Sequence, residues 1–304
     1  MRCLAALLCL SLAGCGPAQI GAIRIDPALA ILVPADATLL AGVRLDALRQ
    51  TPIYQKYIGQ RSMPGLDEFA RDTGLDPRKD IWELLVVSDG VNTAVLARGK
   101  FSPQGEEPRI NRPGVQRIPY KGYTLIGNEQ GAVAFMNASV AIAGRPAAVR
   151  SIIDGRGRSN GVPPALRSKV DAIPAAAQLW LVAAGGFSQL AKEAPQSGNL
   201  SNLGRVFSML ESATVSADLR SGVSLDALGA CRTDQDARSL SDALRGLVGL
   251  GRLSTPQDQP DMLRVYDAIQ VGQQQTTVKV NVKLSQELLD KALAKLPERP
   301  RRTQ

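Results

Sequence analysis

Two widely separated stretches of this chain carry the same order of residue types. Val33-Pro34-Ala35-Asp36-Ala37-Thr38-Leu39-Leu40 is echoed by Ile173-Pro174-Ala175-Ala176-Ala177-Gln178-Leu179-Trp180. In each copy a proline stiffens the backbone ahead of an apolar run, and a helical segment follows. A repeated unit of this kind is expected to fold as two related halves. Between the copies, Gly155 to Pro164 is dense in glycine and ends in paired prolines, the composition of a linker. The expected division is therefore a first α+β domain at 33–154, a Gly/Pro-rich linker at 155–164 and a second α+β domain at 165–296.

Periodicity supplies the elements of each half. Ala37 to Leu45 is a continuous apolar run, as in a strand covered on both faces. Thr51-Pro52 opens a short helix, and Leu66 to Thr73 forms another that Gly74-Leu75 stops. Ile81 to Ser88 and Thr93 to Phe101 are strands turned at Asp89-Gly90, and further strands follow at 115–118, 123–126, 132–135 and 140–143. A helix then runs from Pro146 to Gly155. In the second half, helical segments around Phe187 to Lys192 and Asn202 to Met209 precede strands Ala213 to Leu219 and Val223 to Cys231. Thr233-Asp234-Gln235-Asp236 resembles a capping box for a helix with Ala237, Leu240, Leu244, Leu247 and Val248 on one side, and Gly249 and Gly251 are expected to end it. Val278, Val280, Val282 and Leu284 alternate with Lys279, Asn281 and Lys283, the pattern of a half-buried strand with one wet face. Ser285 caps a last helix that Pro297 halts. The fold class expected is α+β, each half an antiparallel sheet with helices on one face and a ferredoxin-like β-α-β-β-α-β core with added hairpins.

The N-terminus carries a different message. Arg2 precedes an apolar run from Leu4 to Leu12, which is too short to span a bilayer. Leu12-Ala13-Gly14-Cys15 looks like a bacterial lipobox: cleavage between Gly14 and Cys15, a signal peptide at 1–14, and a lipid carried on the Cys15 thiol. Residues 15–32 then form a lipidated N-terminus and short tether. Gly16 in place of an aspartate points toward the outer membrane in a Gram-negative cell. By this reading the protein sits in the bacterial cell envelope, partnered with the membrane through Cys15. The formal charge of +8 falls to +7 once Arg2 is removed, a balance that favours an anionic cell-wall or lipid partner, or an envelope protein. Nucleic acid is not expected, because aromatic residues make up only 4% and no basic aromatic stripe is present.

Several chemistries are excluded. The chain has no histidine, so triads, dyads and zinc sites that need imidazole are absent. With Cys3 and Cys9 in the signal peptide and Cys15 lipidated, Cys231 remains alone and is expected to be buried; no intrachain disulfide forms. No nucleophile elbow, phosphate loop or dinucleotide motif occurs. No catalytic, cofactor-binding or metal-binding residue is assigned, and no cofactor is implied.

The early Pro-Ala-Asp-Ala-Thr strand, Gly74-Leu75-Asp76-Pro77 before Trp82-Glu83-Leu84-Leu85, the strand end Ala97-Arg98-Gly99-Lys100-Phe101 and Tyr120-Lys121-Gly122-Tyr123 together resemble uncharacterised predicted bacterial lipoproteins with an exported domain of unknown function. The resemblance covers most of the mature chain and implies location and general build, with no activity.

Three constellations have a bland and a sharp reading. Tyr120 and Tyr123 form either a sugar-stacking pair with Lys121 or an ordinary strand and turn. Arg109, Arg112, Arg117, Lys121, Arg145, Arg150, Arg156, Arg158, Arg167 and Lys169 form either an anion-binding face or solvated surface. Asp67, Glu68, Asp72, Asp76, Asp80 and Glu83 supply either metal oxygens or helix-start charges and turns. The reading of the whole is a lipid-anchored binding or scaffolding module. The alternative is an envelope hydrolase or transferase using a carboxylate pair. A basic tail at 297–304, with Arg299, Arg301 and Arg302, offers a further contact to anionic polymers.

Overall fold

The computed structural model of the protein describes residues 21–60, 63–101, 110, 114–158, 160–187, 204 and 208–294. Their twelve strands are β1 (Leu39–Arg44), β2 (Ile81–Ser88), β3 (Thr93–Gly99), β4 (Gln116–Tyr120), β5 (Tyr123–Gly127), β6 (Ala132–Asn137), β7 (Val140–Gly144), β8 (Leu179–Ala183), β9 (Leu210–Asp218), β10 (Gly222–Cys231), β11 (Ile269–Gln274) and β12 (Thr277–Ser285). All twelve join one sheet in the order β11-β12-β10-β9-β8-β1-β2-β3-β7-β6-β5-β4. Every neighbouring pair is antiparallel.

The sequence leaves open whether the two halves form separate sheets or one; they share one, joined where β1 and β8, the strands that end the two repeated motifs, pair with each other. The ferredoxin-like order is not observed. That plan separates its first two strands, whereas β1-β2-β3 and β8-β9-β10 each lie side by side. The stretch 155–164 is a connection within one core, since Val162, Leu166 and Ile173 pack in the same buried cluster as Leu29, Leu40 and Ile142.

The helices are α1 (Pro27–Ala30), α2 (Leu45–Leu48), α3 (Pro64–Thr73), α4 (Pro77–Asp80), α5 (Pro146–Gly155), α6 (Pro164–Val170), α7 (Asp234–Leu253), α8 (Pro260–Asp267) and α9 (Gln286–Ala294), with a π-helical turn at Tyr54–Ile58. Local signals account for most of their ends. Thr51 Oγ1 accepts from Tyr54 N at 3.2 Å, Gly74 adopts φ 72° and donates to Ala70 O, and Asp236 N donates to Thr233 Oγ1 at 3.0 Å.

Helices lie on both faces of the sheet, not on one. Residues in register share a face. On the first face Leu40, Leu85, Leu96 and Ile142 pack under α1, α5 and α6 through Leu29, Val149, Ile152 and Leu166. On the second face the row Ala97–Leu84–Val43–Leu179–Ala217–Leu225–Val282–Ile269 is apolar across eight strands. Phe69 of α3 and Leu75 pack on that face at Ala97 and Ala141, while Leu240 and Ala237 of α7 pack at Val278 and Cys231.

The segment from Gly21 to Ala37 is a strap, not a free tether. Ile23 N donates to Ile173 O at 2.9 Å and Ala175 N to Gly21 O at 2.7 Å; Leu29 and Val33 are fully buried, and Thr38 N reaches Ser88 O at the far end of β2. The chain therefore crosses the first face from one end of the sheet to the other before it enters β1.

Candidate functional site

The first face of the sheet changes character along single rows of paired residues. Leu96, Leu85, Gly42 and Trp180 lie side by side and are followed, on β9 to β11, by Ser216, Asp226, Asn281 and Gln270. The next row repeats the switch, with Val87, Leu40 and Val182 followed by Thr214, Leu228, Lys279 and Gly272. Apolar cover ends at β8. Beyond it the face presents hydroxyls, amides and lysines; Lys279, Lys283, Gln270 and Gln274 are exposed, and Leu228 stands 44% exposed among them. Asn281 donates to the Asp226 carboxylate, and Lys169 at the end of α6 donates to Ser212 Oγ at 2.9 Å. A broad polar sheet surface around one exposed leucine suits contact with a macromolecule more than enclosure of a small substrate.

The signal for this face was present in the alternation of β12, and Ser212, Thr214, Ser216 and Asp218 alternate with Ala213, Val215 and Ala217 in the same way. Read strand by strand, neither says that both wet sides coincide. Only the register does.

One end of the first face carries charge. Glu83 is paired across the sheet with Arg44 on one side and Arg98 on the other. Arg98 Nε donates to Asp26 Oδ2 at 3.0 Å, Arg44 Nη1 donates to Ala175 O at 2.7 Å, and both contacts hold the strap. Loss of water, then the nearby Asp26 carboxylate, push the Glu83 carboxyl up to about 7. Trp82, 41% exposed, lies 5.6 Å from the Arg98 guanidinium.

The residues singled out from the sequence fall as follows. Gly14 and Cys15 lie outside the described residues, as do Arg109, Arg112, Arg299, Arg301 and Arg302. Tyr120 and Tyr123 face each other across a two-residue turn in which Lys121 (φ 48°) and Gly122 (φ 83°) both take left-handed backbone. The Tyr120 hydroxyl donates to Asp154 at 2.9 Å, Lys121 pairs with Asp154 at 2.7 Å, and Arg150 and Arg156 lie over the Tyr120 and Tyr123 rings. Those hydrogen bonds hold the Asp154 carboxyl below the usual carboxylate range. This is a strand and turn with its tyrosines half-buried, and its cations are engaged within the fold.

Of the described members of the basic set, Lys121, Arg150 and Arg156 lie around Tyr120, Tyr123 and Asp154, Arg158 lines a cavity of about 130 Å³ with Pro34, Asp36 and Ser151, and Arg167 bonds Val162 O at 3.2 Å. The acidic set supplies caps and ion pairs: Asp76 accepts from Arg78 N at 3.0 Å, Asp80 accepts from Asp76 N at 2.7 Å, and Asp67 pairs with Arg78 at 2.6 Å. Among the described residues no cluster of three metal-ligating side chains occurs. A more open cleft of about 440 Å³ lies at the opposite end of the sheet from Glu83, lined by Gly185, Phe187, Leu210, Glu211 and Arg232. Cys231 is 2% exposed and unpaired, and burial raises its thiol pKa.

These features define an α+β protein built on one long antiparallel sheet, helix-covered on both faces in its first half and, over β9 to β12, helix-covered on the second face and polar on the first. The fold is similar to that of TP0453 in its crystal form III, with a TM-score of 0.52 at 9% sequence identity, over 90% of this chain and 99% of that one. Crystal form I of TP0453 gives a TM-score of 0.44 at 9% identity. At such identity the likeness is one of fold. No family model and no curated protein matches the sequence.

Proposed function

We propose that this is a lipid-anchored cell-envelope protein whose polar sheet face serves as a binding or scaffolding surface. The location rests on Leu12-Ala13-Gly14-Cys15 behind a short apolar run with Arg2 ahead of it. The binding role rests on one observation, the switch at Trp180–Ser216 from apolar rows to polar ones, which begin at the buried Ser216 and become exposed at Leu228, Lys279, Lys283, Gln270 and Gln274. Metabolic labelling with a clickable fatty acid tests the anchor: the wild type takes the label and Cys15→Ser does not. Crosslinking of intact envelopes tests the surface. A partner captured by the wild type is lost in Leu228→Lys, and capture unchanged by that substitution counts against this face.

The two halves are also read as an ancient duplication. Aligning the repeated motifs makes Leu40 equivalent to Trp180 and Gly42 equivalent to Val182. The pairs Leu40–Val182 and Gly42–Trp180 then correspond under the exchange of the two halves, as in a self-complementary contact.

The enzymatic alternative has one observation in its favour, the raised pKa of Glu83 beside Asp26. Asp26 is spent on Arg98, Glu83 bonds the strap at the Asp26 backbone, and the cavities described above open elsewhere. The binding surface is accordingly the preferred reading.

A further inference from the structure

The fold begins very close to the anchor. Gly21 O accepts from Ala175 N, Ala22 bridges to Pro174, and Ile23 is 4% exposed, so the chain is fixed to the fold only six residues beyond Cys15. Six extended residues span at most about 20 Å whatever their conformation. The attachment point is also well defined: Ala175 O accepts from Arg44 at the C-terminal end of β1, next to the start of β8. At this same end of the sheet lie the start of β2 with Trp82, the one-turn α4 with Lys79, and the β9–β10 turn with Arg220. Trp82 is 41% exposed, the Lys79 and Arg220 side chains are 81% and 63% exposed beside their partners Asp76 and Asp218, and Arg24, three residues after Gly21, is exposed. Amphipathic aromatic and basic side chains of this kind settle at a membrane–water boundary. The opposite end, marked by the β2–β3 turn at Asp89–Asn92, is one strand length away, about 25 Å for the eight residues of β2.

We infer that the end of the sheet bearing Gly21, Trp82, Lys79 and Arg220 rests on the phospholipid headgroups, with the strands standing away from the bilayer and the β2–β3 turn pointing outward. This deepens the lipid-anchor reading and depends on it. A consequence is that the polar face of β9 to β12 stands roughly perpendicular to the membrane and remains open to partners in the adjoining compartment.

The test uses the full-length lipidated protein in vesicles of phosphatidylcholine and phosphatidylglycerol. Arg220→Cys and Val91→Cys place an environment-sensitive thiol probe at the two ends, because both positions are exposed and Cys231 is buried. Headgroup nitroxide lipids are then titrated in. Quenching several-fold stronger at position 220 than at 91 is expected. Equal quenching at the two positions, stronger quenching at 91, or none at either in protein that carries the fatty acid overturns the orientation alone. Wild-type protein that takes no fatty acid label removes the anchor reading and this inference with it, and the labelling assay reports that separately. Circular dichroism of both variants, matching the wild type, excludes misfolding as a source of altered quenching.

Discussion

Trp180 lies directly over Gly42: a Cβ at position 42 would fall 2.2 Å from both Cε2 and Nε1 of the indole. This contact sits on the β1–β8 seam, the only strand pairing between the two halves of the sheet among the described residues. Two residues along, Leu40 and Val182 pair as two side chains of middle size, whereas Gly42 and Trp180 set no side chain against a large one. Gly42→Ala should therefore cost about 1–3 kcal/mol, the usual penalty of forcing atoms into a filled core. Trp180→Leu makes room, so the double variant Gly42→Ala with Trp180→Leu should recover part of the loss. Urea unfolding in a double-mutant cycle measures it, and additive effects would show that the two sites do not couple.

Glu83 should make stability depend on pH in the sense opposite to a salt-bridged carboxylate. Its folded pKa of about 7 lies above the ordinary 4.5, first because burial disfavours the charged form and second because Asp26 is near. The folded state thus holds a proton that the unfolded state has released. The stabilisation is complete below pH 4.5 and is lost as pH rises through 7. Glu83→Gln removes the titration, so the variant should gain on the wild type between those pH values and keep its advantage above them. At about 1.4 kcal/mol per unit, discounted for partial exposure, the gain is about 1–2 kcal/mol. A difference between the two proteins that stays flat from pH 4 to 8 would refute it.

The end of the chain is tied back to its beginning by one carboxylate. Asp290 on α9 accepts from the Tyr57 hydroxyl at 2.7 Å, pairs with Lys56 at 2.8 Å and accepts from Gln286 at 2.7 Å. Desolvation first, and then the bond to Asp290, raise the Tyr57 pKa. In Asp290→Asn the phenol should ionise at lower pH, read by ultraviolet titration against Tyr57→Phe. The Asp290 carboxyl itself is held below its ordinary value, so its contribution to the tie is present above the unfolded pKa and fades as pH falls. The protection of α9 amides, taken relative to their intrinsic exchange rates at each pH, should accordingly fall in acid for the wild type and not for the variant.

Cys231 should resist thiol reagents until the protein unfolds. It is 2% exposed against Ala237 and Leu240, and burial, followed by Asp236 and Glu211, raises its pKa. Low thiolate content and low access act in the same direction. Modification by a disulfide reagent should be slow in buffer and complete in denaturant. Rapid modification of the native protein would mean that α7 opens readily from β10.

Local structure was written plainly in the sequence, and its assembly was not. The β2–β3 turn at Asp89-Gly90 forms with Asp89 accepting from Val91 N and Asn92 N, and Ser285 caps α9 by accepting from Leu288 N. Such features depend on neighbours within a few residues. The pairing of β1 with β8, the coincidence of wet faces on β9 to β12, and the position of Glu83 between Arg44 and Arg98 depend on register across long separations, which periodicity does not encode. Helix α6 leaves no periodic signal, because Pro164 to Val170 spans under two turns. In the strap, Pro17, Gly21 and Pro27 give the composition of a tether and obscure the burial of Ile23, Leu29 and Val33.

Helix α7 gives the sharpest case of a local rule overridden by packing. Gly249 and Gly251 are ordinary stop signals, yet the helix continues through both to Leu253, and its cap residue Ser254 donates to Leu250 O and Arg252 O. Only one of these glycines meets a neighbour. A Cβ at 251 would lie 2.4 Å from Cε1 of Tyr266 on α8, whereas nothing lies within 4 Å of a Cβ at 246 or 249. Gly249→Ala and Gly246→Ala should each stabilise the protein by about 0.5–1 kcal/mol, the helix propensity that glycine forfeits. Gly251→Ala gains the same propensity but must push Tyr266 aside, so its net effect should be destabilising, with the loss relieved in a Tyr266→Ala background. Thermal midpoints of the three single variants and that double variant separate the two effects. A stabilising Gly251→Ala would mean that α7 and α8 do not pack through Tyr266.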